Sequence, residues 1–97
     1  MKHNDKEIFI DYMSFHPSVY GLSLEKESSY IVLINASRPG IVQRHAIGHE
    51  LAHIYLDHFS SNRPLRELER EANKAAWYYY RVFKEHLLNQ HIGRAAS

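Results

Sequence analysis

A chain of 97 residues, with 44% hydrophobic and 24% charged residues, has the composition of a single globular domain with one modest core. The formal net charge of +1 does not indicate a nucleic-acid-binding surface, so we expect no direct nucleic-acid contact. The absence of cysteine excludes disulfide bonds and thiolate metal ligands. No apolar run resembles a signal peptide or approaches the roughly 20 residues of a membrane span, so we expect a cytoplasmic protein without membrane contact.

Three segments near the start of the chain have the composition of β-strands. Residues 7–13 are rich in β-branched and aromatic side chains, and residues 19–25 follow a proline-containing break. The continuous apolar run at residues 30–35 predicts a strand that is buried on both faces. Because the connections are short, we expect a three-stranded antiparallel sheet. The polar residues 1–6 are expected to be frayed.

Two further segments have helical periodicity. In residues 42–58, Ile47, Leu51 and Ile54 form an apolar stripe that would pack on the sheet. The second predicted helix, from residue 65 to about residue 88, also has one apolar face, and we expect residues 92–97 to fray. The predicted fold class is therefore α+β, with two main helices packed on the sheet.

The first predicted helix contains the pattern H-E-x-x-H, formed by His49, Glu50 and His53. Histidines four residues apart lie on the same face of a helix, so both imidazoles can bind one metal ion. Zinc accepts imidazole nitrogen, and a catalytic zinc site uses three protein ligands and leaves a fourth position open for water. The rest of the chain must therefore supply a third ligand.

The known pattern with a third histidine is absent. Leu56 and Phe59 occupy the positions of its glycine and third histidine, and His58 lies one residue short of the required offset. The second helix instead offers Glu69 and Asn73, which share one helical face. The carboxylate would be the third ligand, and the amide would orient a ligating histidine.

Glu71 is the alternative third ligand. It points away from the side of the helix that carries Asn73, whereas Glu69 shares its face with Ala72 and Ala76. These small alanine side chains would let the two helices approach each other closely. Helix-face geometry therefore favours Glu69 and leaves Glu71 as the alternative.

With these motifs in place, residues 7–80 resemble the ImmA/IrrE family of small zinc metallopeptidases. The matching features are a strand that ends in Asn35, the H-E-x-x-H helix and the downstream sequence Leu-Glu-Arg-Glu-Ala-Asn at residues 68–73. One departure is the aromatic segment at residues 77–81, where many family members have small residues followed by Leu-Met-Pro. We therefore expect different contacts with the substrate, in a zincin-like minimal metalloprotease core that carries no sensor or DNA-binding domain.

The resemblance implies a mechanism as well as a fold. By position, His49, His53 and Glu69 would bind zinc, and Glu50 would act as the general base that activates water for peptide hydrolysis. Family members often come from phages or mobile elements and cleave a repressor that carries a helix-turn-helix domain. The implied substrate is therefore a specific transcription regulator, and the implied role is that of an anti-repressor.

The alternative hypothesis is a zinc-binding module that docks a repressor or a toxin–antitoxin partner without cleaving it. Glu50 favours the enzyme, because a module that only binds has no chemical need for that carboxylate. The sequence does not determine the oligomeric state. It also leaves several candidates for a donor to the reaction oxyanion, namely Tyr20, Tyr30, His45, His58 and Tyr78.

Overall fold

A mixed four-stranded sheet forms one layer of the protein, in the order β1-β2-β4-β3. The computed structural model describes the backbone of residues 1–96 and the side chains of residues 1–90. Its strands are β1 (Lys2–His3), β2 (Lys6–Met13), β3 (Gly21–Glu25) and β4 (Ser29–Asn35). β2 and β4 run parallel along their whole contact, whereas β1 is antiparallel to β2 and β3 is antiparallel to β4.

The prediction of a three-stranded antiparallel sheet is therefore wrong in its strand count and in one pairing. Residues 14–20 carry the chain across the width of one strand, so that β3 lies two positions from β2 and β4 later fills the space between them. Two strand spacings amount to about 10 Å, which a short extended segment spans easily. The short connection between β2 and β3 therefore does not require these two strands to be neighbours in the sheet.

The N-terminal segment forms strand β1, although the sequence predicted that residues 1–6 fray. β1 pairs with the start of β2, and the connecting Asn4 and Asp5 have φ angles of 52° and 62°. Two consecutive residues with positive φ are typical of the tight turn that joins two antiparallel strands, and Asn and Asp tolerate this conformation. The expected fraying of residues 92–97 falls outside the fully described part of the chain.

Asn35, at the end of β4, fixes the connection between β2 and β3. Its side chain is fully buried, and its amide nitrogen donates to the carbonyl oxygens of Phe15, His16 and Val19 at 3.3, 3.1 and 2.7 Å. Its Oδ1 accepts from the backbone N–H groups of Phe15 and Ser37. Since every polar atom of this side chain has a partner, it can be buried without a large desolvation cost. The crossover, and with it the position of β3, is thereby held in place.

Helix α1 (Gly40–Tyr55) packs on the sheet, and a short 3-10 helix (His58–Ser60) and helix α2 (Leu65–Ala96) follow. The predicted apolar stripe of α1 is confirmed, because Ile47, Leu51 and Ile54 are all buried in the core cluster with residues of β4. α1 ends earlier than predicted, since Asp57 adopts a left-handed conformation with φ of 57° and turns the chain. Within the described range, neither helix is long and apolar enough to cross a membrane.

The two helices approach each other most closely at Gly48. A Cβ atom added to Gly48 would lie 1.7 Å from the carbonyl oxygen of Ala76, so no larger residue fits there without movement of the backbone. Ala76 and Ala72, one turn apart on α2, are fully buried. The close approach expected from these small residues is confirmed, and it places residues 65–76 of α2 beside the histidine face of α1.

Candidate metal centre

The contact between α1 and α2 brings His49, His53 and Glu69 together. One ligating atom from each side chain can be chosen so that all three lie within 4.8 Å of one another. The Nε2 atoms of the two histidines are 3.0 Å apart, and each lies close to a carboxylate oxygen of Glu69, at 2.9 Å for His49 and 3.1 Å for His53. Two imidazole nitrogens and a carboxylate thus converge on one point, which is a donor set that fits a divalent transition metal such as zinc.

Asn73 supports His49 from the side opposite this point. The Nδ1–H of His49 donates to Asn73 Oδ1 at 2.8 Å. Because the hydrogen of a neutral imidazole is then on Nδ1, the lone pair of Nε2 faces the convergence point. The structure thus brings Asn73 against His49, and its role as an amide that orients a metal-binding histidine stays a prediction.

Glu71, the alternative ligand, does not reach the histidine pair. Its Oε1 lies 2.7 Å from Nε2 of His58, and its Oε2 accepts from Nη1 and Nη2 of Arg63 at 3.2 Å. Among the described residues, the group that could hold a metal contains Glu69 and not Glu71. The two carboxylates thus serve different sides of the site, as expected from their different helical faces.

His58 is the residue that sequence reasoning misplaced most clearly. It lies in the short 3-10 helix, is buried, and has its Nδ1 2.9 Å from Nδ1 of His53. The helical pattern of residues 42–58 predicted a helix that reaches residue 58, and five residues along such a helix lead from His53 to a different face. The left-handed turn at Asp57 instead brings His58 back against His53. No local sequence pattern predicted that turn.

Glu50 is buried beside the two histidines, with 7% of its surface exposed. The hydroxyl of Ser23, on edge strand β3, donates to Glu50 Oε1 at 2.7 Å, and Oε2 lies 4.0 Å from His49 Nε2. Burial raises the pKa of the Glu50 carboxyl and the nearby charge of Glu69 adds to this, whereas the Ser23 hydrogen bond and His49 act in the opposite direction. Sequence reasoning missed Ser23, since a serine within a strand carries no distinctive signal.

Two histidines of the cleft, His53 and His45, lie in an environment that favours the neutral imidazole. Burial lowers the pKa of His53, and the neighbouring His49 lowers it further. Burial also lowers the pKa of His45, which lies one turn before His49 and packs edge-on against Trp77 at 5.3 Å between ring centroids. Neutral imidazole is the form that binds metal ions, so this environment is compatible with a metal centre.

An open cleft of about 750 Å³ gives access to these groups. Residues 18–23 form one wall, and side chains of α1, the 3-10 helix and the start of α2 form the other, including Phe59, Leu65 and Leu68. Of the candidate oxyanion donors, Tyr20 and His45 line the cleft without contacting the ligand atoms, and His58 lies behind His53. The remaining two are placed elsewhere, with Tyr30 buried in the core and Tyr78 exposed on α2.

Comparison with known proteins gives one match. The family model for the IrrE N-terminal-like domain, a peptidase family designated M78, matches residues 4–88. This range contains every residue of the candidate metal centre. No curated protein and no solved structure matches the chain.

Proposed function

The chain belongs to the M78 peptidase family of IrrE N-terminal-like domains, and on this premise we propose that it is a zinc-dependent endopeptidase. The observation that carries the proposal is the convergence of His49, His53 and Glu69 in the cleft that also contains Glu50. Three ligands with an open side are typical of catalytic zinc sites, whereas structural zinc sites are closed by four protein ligands. The nitrogen and oxygen donors, without any thiolate, suit zinc as the proposed metal.

The proposed chemistry assigns a separate task to each side chain. Zinc bound by the two histidines and Glu69 would lower the pKa of a water molecule and polarise the scissile carbonyl group. Glu50 would accept the proton of the attacking water and pass it to the leaving amine.

Ser23 and Asn73 hold the reacting groups in place. The Ser23 hydroxyl fixes one oxygen of Glu50, so that the other oxygen remains directed towards His49 and the cleft. Asn73 fixes the ring of His49 through Nδ1. Such hydrogen bonds reduce the reorganisation that the groups would otherwise undergo during the reaction.

As substrate we propose a specific regulatory protein in the cytoplasm, namely a phage or mobile-element repressor with a helix-turn-helix domain. Support comes from the family resemblance and from the size of the cleft, since about 750 Å³ would accommodate a short peptide segment. Selectivity would then depend on a particular partner whose cleavable segment is accessible.

The proposal is tested by incubating the purified protein with a candidate helix-turn-helix repressor from a neighbouring gene, with and without added zinc and a chelator. We expect cleavage only when zinc is present. Glu50→Gln should bind zinc as the wild type does and should not cleave, because the amide cannot accept the proton. The matched control is Glu27→Gln, in the exposed turn between β3 and β4, which should behave as the wild type.

Three results would contradict the proposal. The first is failure of the purified protein to bind zinc at all, and the second is unchanged cleavage by the Glu50 variant. The third is a stable complex with the repressor that persists for hours without cleavage in the presence of zinc. That last result would favour a binding module over an enzyme.

A further inference from the structure

We propose that His58 is a positioning residue, which, together with Glu71 and Arg63, fixes the tautomer and the orientation of His53. The inference rests on the proposed metal site and concerns a buried histidine that the proposed mechanism does not otherwise use. It assigns to His58 the support of one ligand, as Asn73 supports the other.

The contacts form a continuous hydrogen-bonded chain that leads away from the cleft. Nδ1 of His53 lies 2.9 Å from Nδ1 of His58, and Nε2 of His58 lies 2.7 Å from Glu71 Oε1. The guanidinium of Arg63 donates through two nitrogens to Glu71 Oε2, each at 3.2 Å. The side chain of His58 is only 4% exposed, so its ring nitrogens find their partners within the protein.

The direction of each hydrogen bond follows from the Glu71 carboxylate, which lies at the end of this hydrogen-bonded series away from the cleft. Arg63 donates to Glu71 through two guanidinium nitrogens, and a carboxylate paired in this way can only accept a hydrogen bond from His58. When the His58 imidazole carries one hydrogen, the contact with Glu71 places that hydrogen on Nε2, and the bare Nδ1 is then an acceptor. The facing Nδ1 of His53 must therefore carry the hydrogen, and the lone pair of its Nε2 faces His49 and Glu69.

The backbone conformation of Asp57 determines the position of His58 relative to His53. Asp57 has φ of 57°, and its carboxylate accepts from Nε2 of His3 at 2.8 Å and from Nδ2 of Asn4 at 3.0 Å. The hairpin of β1 and β2 thus contacts the turn that places His58 against His53. A tautomer fixed in this way avoids the rotation and proton shift that a free imidazole undergoes before it binds a metal.

The two ligand histidines are thus supported from different elements. His49 depends on Asn73 of α2, whereas His53 depends on the 3-10 helix and on the loop residue Arg63. Removal of such an orienting partner typically lowers metal affinity by about 10- to 100-fold. We call the hydrogen-bonded series His58, Glu71 and Arg63 the relay. It predicts that a substitution of His58, which is not itself a proposed metal ligand, lowers the zinc affinity.

The test compares three variants by competition for zinc with a chromophoric chelator. His58→Leu removes both ring nitrogens at similar volume, and we expect its zinc affinity to fall about 10- to 100-fold. His58→Asn keeps an acceptor close to the position of Nδ1 and should recover most of the affinity. The control His86→Leu changes a histidine of α2 outside the cleft and should match the wild type. A folded His58→Leu protein with wild-type affinity would overturn the proposal, and so would equal losses in the Leu and Asn variants.

A second measurement separates the relay from the proposed function. In the metal-free Glu69→Ala protein, which lacks the other carboxylate near His53, nitrogen-detected NMR reports the tautomer of His53 directly. We expect the Nδ1–H form, and a predominant Nε2–H form would overturn the proposal even if the Leu variant fails to fold. If the wild type binds no zinc, the proposed function fails, and the tautomer still decides whether the relay exists.

Discussion

Replacement of Gly48 by alanine is the sharpest test of the helix contact on which the site depends. The added Cβ would lie 1.7 Å from the carbonyl oxygen of Ala76 and 2.6 Å from its carbonyl carbon. A relaxed carbon–oxygen contact is about 3.3 Å, so the helices must separate by up to about 1.6 Å, because a backbone carbonyl cannot rotate away as a side chain does. The substitution therefore acts on the spacing of α1 and α2 rather than on one contact.

Two opposing energies set the size of the effect. An overpacked core costs about 1–3 kcal/mol, whereas Gly→Ala in a helix contributes about 1 kcal/mol of favourable propensity. We expect Gly48→Ala to lower the free energy of unfolding by up to about 2 kcal/mol. Zinc affinity should also fall, by at least about tenfold, because Glu69 would retreat from His49 and His53 by much more than the ~0.2 Å that a metal site tolerates.

Chemical denaturation of the metal-free protein and chelator competition for zinc measure the two effects. The matched control is Gly40→Ala at the start of α1, where the added Cβ would meet only the flexible end of Arg44, at 3.2 Å. This control should be as stable as the wild type or slightly more stable, with unchanged zinc affinity. If Gly48→Ala showed wild-type stability and wild-type zinc affinity, the close helix contact described above would be incorrect.

Three further predictions concern the site itself. First, because burial raises the pKa of Glu50, the metal-free wild type should lose stability as the pH rises through that pKa. Glu50→Gln should therefore be more stable than the wild type at pH 7, and the difference in unfolding free energy should vanish towards pH 4. Chemical denaturation of both proteins at pH 7 and at pH 4 measures this difference. Second, Ser23→Ala should lower kcat about tenfold, the equivalent of one hydrogen bond to a charged group, with zinc affinity changed less than twofold; an unchanged kcat would exclude a role for Ser23 in holding Glu50. Third, zinc at 100 times its Kd should stabilise the fold by about 2.7 kcal/mol, and a melting temperature unaffected by zinc or chelator would contradict binding to the folded state.

The elements that could be predicted from sequence are those specified by local periodicity. The apolar stripe of α1 identified the face that packs on the sheet, and the spacing of Glu69 and Asn73 identified one face of α2. The choice between Glu69 and Glu71 followed from the same geometry, and the structure brings Glu69 to the histidine pair. Their roles as zinc ligand and supporting group stay predictions.

The features that could not be predicted depend on contacts between distant residues. The composition of β2 is the same whether it pairs in parallel or antiparallel fashion, and only the crossover of residues 14–20 decides the order of the sheet. Ser23 meets Glu50 across 27 positions of the chain, and His58 reaches His53 through a single left-handed residue. Neither contact leaves a repeating pattern in the sequence.

The parallel pairing of β2 with β4 also has a consequence for the order in which the protein folds. The β3–β4 hairpin is local, closed by the hydrogen bond from Lys26 N–H to the Ser29 carbonyl oxygen, and such hairpins form in about 1–10 µs. β2 can join only when residues 14–20 pass the end of β4, which closes a longer loop and is slower. Until then the amide of Asn35 lacks its three carbonyl partners in that segment and stays hydrated. We therefore expect the docking of β2 and the desolvation of the Asn35 side chain to occur together as one late folding step, after β3, which carries Ser23, has paired with β4.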